Sequence, residues 1–232
     1  MIEALASAFG LMLTGDAELL GIVRLSLGVS LSAVFFASLL ALPIGAAVAL
    51  FQFPGRSAVI VLLNALMGLP PVVAGLMVYL LLSRAGPLGE LGLLFTPTAM
   101  VIVQSLLIFP VVAALTRQII SDLWVEYRDQ LTSLGAGRLR AIPTLLWDGR
   151  YSLITALLAG FGRAVAEVGA VLIVGGNIAG VTRVMTTAIA LETNKGNLTL
   201  ALALGIILML ITLLVNGLAY GLGEFSRQRY GG

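Results

Sequence analysis

Residues Trp124 to Arg150 read WVEYRDQLTSLGAGRLRAIPTLLWDGR, a charged, glycine-broken segment with long apolar runs on either side. Trp124 to Leu134 suits a short helix, with Leu131 and Leu134 on one face and Glu126, Arg128 and Asp129 on the others. Gly135, Ala136 and Gly137 permit a sharp turn at small steric cost. Arg138 to Ile142 then suits a second short helix, and Pro143 the first position of the element that follows. Short helices meeting at a glycine make a knob. Leucines ringed by arginines on such a knob fit a groove on a soluble partner, or else shield the end of a helix bundle.

For most of the chain the solvent is lipid. Charged residues are 10% of the 232 positions and hydrophobic ones 59%, far from the balance of a soluble domain. A hydrocarbon core of roughly 30 Å takes about 20 apolar residues per helix. Windows at Leu19–Phe51, Ala58–Leu82, Pro97–Ile120, Ser152–Val174 and Leu198–Leu222 meet that requirement. They predict an all-α polytopic bundle of about five spans, forming a single domain over 1–232 with the knob loop at 121–150 and no soluble domain. The first window exceeds one upright span, so it tilts or projects, with Arg24 near one end able to snorkel. Asp16 and Glu18 argue against a further span before it.

Cations are unevenly distributed between alternate loops. One side receives Arg56, Arg117, Arg128, Arg138, Arg140, Arg150, Arg227 and Arg229, the other Arg84, Arg183 and Lys195. The positive-inside rule puts the knob and the C-terminus in the cytoplasm and the N-terminus outside. Met1-Ile2-Glu3 lacks the basic start of a secretory signal, so no cleavage is expected.

The sequence has no cysteine and no histidine, which removes thiolate nucleophiles, imidazole bases and the commonest transition-metal ligands. A formal charge of +2 with scattered arginines does not point to nucleic acid. No glycine-rich loop ending in Lys and Ser or Thr is present to cradle a triphosphate, so no enzymatic activity and no cofactor are expected in this chain.

The run from Asp129 to Ala136, DQLTSLGA, resembles the EAA loop of ABC-importer permeases, in which an acid, a pair of alanines and, after three more residues, a glycine precede the coupling helix. Asp129 falls on the acid and Gly135 on the glycine, while Gln130 and Leu131 replace the alanines. The run FGRAVAEVGAVLIVGGNIAGVTRVMTTAIALETNKGN, Phe161 to Asn197, is similar to the corresponding region of tungstate-type permeases, relatives of the molybdate and sulfate permeases. The resemblance implies a type I ABC-importer permease core in a bacterial or archaeal plasma membrane, working by alternating access. It further implies a homodimer, a pair of ATP-binding-cassette subunits that hold ATP and Mg, and an extracytoplasmic oxyanion-binding protein. Asp129, Leu131, Leu134, Gly135, Ala136, Gly137 and Arg138 would then form the ATPase coupling loop.

Candidates for a translocation path lie further on. Arg163 and Glu167 stand four apart, so on a helix they share a face and pair, as a gate or as a structural ion pair. Gly175, Gly176 and Asn177 end the same span, where backbone and side-chain amides suit an anion. Thr182, Arg183, Thr186 and Thr187 supply hydroxyl and guanidinium donors for an external oxyanion or a binding-protein surface, or simply form a loop. Pro43, Pro70-Pro71 and Pro110 bend or break their helices, and Asn64, Gln104 and Asn216 are expected to face the bundle interior. Tungstate is the expected cargo, molybdate or sulfate the alternatives within the class, and an ATP-independent channel or carrier the alternative outside it.

Overall fold

The computed structural model describes residues 2–230, with no strand among them. Helices run in the order α1 (Ile2–Thr14), α2 (Ala17–Leu50), α3 (Arg56–Met67), α4 (Pro71–Leu82), α5 (Pro97–Ser133), α6 (Arg138–Asp148), α7 (Arg150–Val165), α8 (Gly169–Gly175), α9 (Met185–Lys195) and α10 (Leu198–Tyr230). Helices α2 and α5 and the Leu198–Gly221 part of α10 are long and apolar enough to cross a membrane. The pairs α3–α4 and α7–α8 qualify only together, bent by 102° and 61°, and counting each as one broken span gives 5 in all.

Parallel helices α2 and α5 form the frame. Ser105 Oγ on α5 donates to the Ala33 carbonyl on α2 at 3.2 Å. Nearer the knob, Gly45 lies so close to α5 that a Cβ there would meet the Ala113 carbonyl oxygen at 2.6 Å. Ala33, Ala37 and Ala41 repeat every fourth residue along α2 and are buried against Val112, Ala113 and Ala114. Small side chains let the backbones approach, which drives packing where lipid is the solvent. Antiparallel to this pair, α7 is tied to α5 by Gln104 Nε2, which donates to the Ala164 carbonyl at 3.0 Å. Asp16 starts α2 by accepting from the Leu19 amide at 2.9 Å, an N-cap that accounts for an acid just before the first span.

Several sequence expectations change. The Ala58–Leu82 window is not one straight helix, because Gly68, Leu69 and Pro70 interrupt it. Pro71 opens α4 at a first-turn position, where its missing N–H costs nothing. Pro43 and Pro110, by contrast, lie inside continuous helices. Gln104 is buried, 4% exposed. Asn64 and Asn216 are instead exposed on the outside of the single chain. The knob is not a pair of short helices. Trp124 to Ser133 is the end of the 37-residue α5, and the second helix extends to Asp148 with Pro143 inside it.

Candidate functional site

At the knob, α5 ends in a hydrogen-bonded reversal. The Gly135 amide donates to the Thr132 carbonyl at 3.0 Å and the Ala136 amide to the Leu131 carbonyl at 2.9 Å, a Schellman closure. Gly135 has φ of +76°, a conformation that a Cβ disfavours. After Gly137, α6 is held down by Ala141 and Leu145, which are buried with Ala46, Ala49, Leu50 and Ile120; Leu131 packs partly against the same cluster. The remaining apolar side chains point away, with Leu134 82% and Leu139 71% exposed. Asp129 and Arg138 line a cleft of about 600 Å³ between the end of α5 and the start of α6. Arg128 Nε pairs with Asp129 at 3.2 Å on the open surface. Exposed leucines beside arginines and a cleft form a surface suited to a partner's groove.

The Arg163–Glu167 pair forms, at 3.4 Å, but not along a continuous helix. Arg163 sits in the last turn of α7, and Glu167 in the break before α8. There one carboxylate oxygen of Glu167 accepts from the Ala170 amide at 3.2 Å, capping α8. The Glu167 carbonyl accepts from Thr186 Oγ1 at 2.7 Å, which pins α9 to the break. Glu167 is 5% exposed, and Ser26, Ser30, Gln104 and Thr186 enclose it in a small polar chamber. Gln104 Oε1 faces no hydrogen-bond partner.

Beyond α8 the chain turns through Gly176 (φ +71°) and Asn177 (φ +52°). Thr182 Oγ1 donates to the Gly175 carbonyl at 2.6 Å and accepts from the Ile178 amide at 3.0 Å. Asn177 Nδ2 donates to the Thr187 carbonyl, and the Gly176 amide to the Leu172 carbonyl. Thr187 Oγ1 accepts from the Val184 amide. Thr182, Thr186 and Thr187 are all buried; Thr182 and Thr187 bond within this segment and Thr186 bonds to the α7–α8 break. Arg183 pairs with Glu18 at 3.6 Å while its Nε has no partner. The structure thus joins Arg163, Glu167 and Thr186, and keeps them apart from the knob by the length of α7, about 24 Å.

A further polar cluster follows. Glu192 accepts from Lys195 Nζ at 2.9 Å and from Asn197 Nδ2 at 3.1 Å. The Lys195 bond holds its carboxyl below the ordinary value, against burial, which acts the other way; Asn197 and the Lys195 and Arg183 charges add to the lowering. The run Glu192-Thr193-Asn194-Lys195-Gly196-Asn197 carried this signal as an i, i+3 charge pair before a glycine.

Broken and continuous apolar helices around a projecting knob describe a polytopic helical membrane protein. No protein-family model matches the chain. A probable anion ABC transporter permease of Haloferax volcanii is 43% identical over 205 residues, 86% of this chain and 88% of the relative. The tungstate uptake system permease protein TupB of Peptoclostridium acidaminophilum is 38% identical over 222 residues, 96% of this chain and 97% of the relative. The sulfate transport system permease protein CysW of Synechococcus elongatus is 28% identical over 182 residues, 74% of this chain and 62% of the relative. The chain belongs to the ABC-transporter permease family that includes the tungstate uptake permeases.

Proposed function

We propose that this chain is the permease of a tungstate importer. Two copies would work with a pair of ATP-binding-cassette subunits, which hold ATP and Mg and carry out all hydrolysis, and with an extracytoplasmic oxyanion-binding protein. The observation that carries this reading is the knob: leucines left exposed beside arginines, presented by a glycine-dependent turn, on a chain whose relatives are transport permeases. Tungstate is favoured over sulfate because the relative named for tungstate matches over nearly the whole chain, whereas the one named for sulfate matches less of it at lower identity. The arginine-rich knob end faces the cytoplasm and the N-terminus lies outside, in accord with the positive-inside rule.

ATP binding closes the partner subunits, draws the Gly135 knobs together and rocks the bundles so that a central path opens outward; hydrolysis and release reset it. Asp129, Leu134, Gly135, Ala136, Gly137 and Arg138 transmit the force, with Leu131 anchoring the turn. The Arg163–Glu167 break is the joint at which α7 hands the motion to α8 and α9. Direction comes from the differing affinity of ATP for the two states. The test is ATP-dependent uptake of radiolabelled tungstate into liposomes containing this chain, its ATPase and its binding protein, competed by molybdate and sulfate. Uptake that needs all three and resists sulfate is expected. Flux through this chain alone, without ATP, would overturn the reading.

A further inference from the structure

We propose that Arg24 contacts the travelling oxyanion, and that the groove it occupies on α2 and the start of α5 forms the wall of the path between two copies of this chain. The inference rests on the importer reading above. Arg24 lies roughly 10 Å along α2 from Ala17, on the most N-terminal of the membrane-crossing helices. It is exposed, and no hydrogen bond or ion pair engages it among the described residues. A guanidinium at such a place faces water or protein rather than lipid. The groove around it measures about 640 Å³, ample for a small tetrahedral anion.

The lining is mostly apolar, from Leu25, Val29, Phe36, Pro97 and Val101, with a few polar groups among them. Arg24 is its only charged group; Ser32 and Thr98 add hydroxyl donors, and no carboxylate lines it. Gly21 and Gly28 flank Arg24 on the same helix face, and open space stands where a Cβ would be at each. Packing within the chain therefore does not require these glycines, and their small size leaves the guanidinium accessible. A second cavity, lined by Gly180 and the Glu18–Arg183 ion pair, lies beside the groove and shares Gly21 and Leu25 with it. With one Arg24 from each copy the path carries a charge that balances a dianion. A single guanidinium per side and a few hydroxyls attract the ion without trapping it, as conduction requires.

The cysteine-free chain permits a direct test. Gly28→Cys and Ser32→Cys, each with Arg24 intact, are assembled with the ATPase and exposed to water-soluble methanethiosulfonates, one anionic and one cationic. Labelling that appears or grows when a non-hydrolysed ATP analogue is bound, with the anionic reagent faster, is expected; Arg24→Met added to either variant should abolish that preference. Cysteines unreactive to both reagents in every nucleotide state, or reacting without charge preference, would overturn the assignment. In parallel, Arg24→Met should slow tungstate uptake about tenfold or more, the loss expected for a charge-assisted contact, with Arg24→Lys retaining more. Unchanged uptake in an active complex removes Arg24 from the path while the importer reading stands; absence of ATP-driven uptake in the unsubstituted complex removes the importer reading itself.

Discussion

At the knob the chain turns at Gly135 and leaves Leu134 and Leu139 exposed. At the opposite end it turns at Gly176 and closes on itself, with Thr182 hydrogen-bonded on both sides and Thr187 and Asn177 bonded to the same loop. Both turns rely on positive-φ glycines and both carry arginines and hydroxyls. They differ in where the interaction capacity goes. The turn at Gly176 uses it internally, whereas the knob leaves apolar side chains exposed. One end leaves contact surface free and the other spends its polar groups on its own loop.

Changing the glycine at the knob should give the largest effect. Gly135→Val places a β-branched residue at φ +76°. Uptake per ATP hydrolysed should fall by about 5- to 150-fold, the usual range of coupling between sites, while the dimer persists in size-exclusion chromatography. Normal uptake in this variant would show that the knob does not transmit force. Thr182→Val tests the end opposite the knob. It leaves the Gly175 carbonyl and Ile178 amide unpaired in a buried loop, at a cost of roughly 1–3 kcal/mol. A lowered Tm in detergent is expected, with the ATPase rate of the assembled complex unchanged. A stable variant with lost uptake would instead make the hydroxyl an anion contact.

The apolar windows, their order and the turn at Gly135 were legible in the sequence because lipid imposes one strong rule, long apolar runs with charges at the ends; that two of the windows are broken helices was not. Where α5 ends was not. Trp124 to Ser133 carries Glu126, Arg128 and Asp129, which read as a separate helix, yet no glycine or proline separates them from Ile120 and the helix simply continues. The break at Ala166–Val168 was equally hidden, since the Arg163–Glu167 spacing fits an unbroken helix and only the tertiary bond from Thr186 reveals its other use. The threonines at 182, 186 and 187 were identifiable as donors; their partners within the chain depended on loop geometry that composition does not encode.

A smaller effect is expected at that break, which lies between the two ends. Arg163→Met leaves a buried carboxylate without its cation, whereas Arg163→Met with Glu167→Gln retains an oxygen able to accept from the Ala170 amide. The double variant should recover about 1 kcal/mol relative to the sum of the singles, within the range of contacting pairs, measured by chemical unfolding. Retained uptake in the double variant would make the pair a structural joint; loss of uptake with intact folding would make it a gate.

The smallest effect concerns α9, which lies outside the spanning helices. Glu192 is held below its ordinary titration range chiefly by the Lys195 bond, so its folded carboxylate is favoured over its unfolded one. The stabilisation is therefore full above the unfolded value, about pH 4.3, and disappears as the pH falls through the lower folded value. Acid unfolding of the purified chain should begin at higher pH in Lys195→Met, whose carboxylate loses its main partner. Glu192→Gln should show a shallower pH dependence over the same range, because the titrating group is gone. If both variants follow the unsubstituted protein, the Glu192 cluster contributes nothing to the stability of the end opposite the knob, which then rests on Thr182 and the Glu167–Thr186 bond.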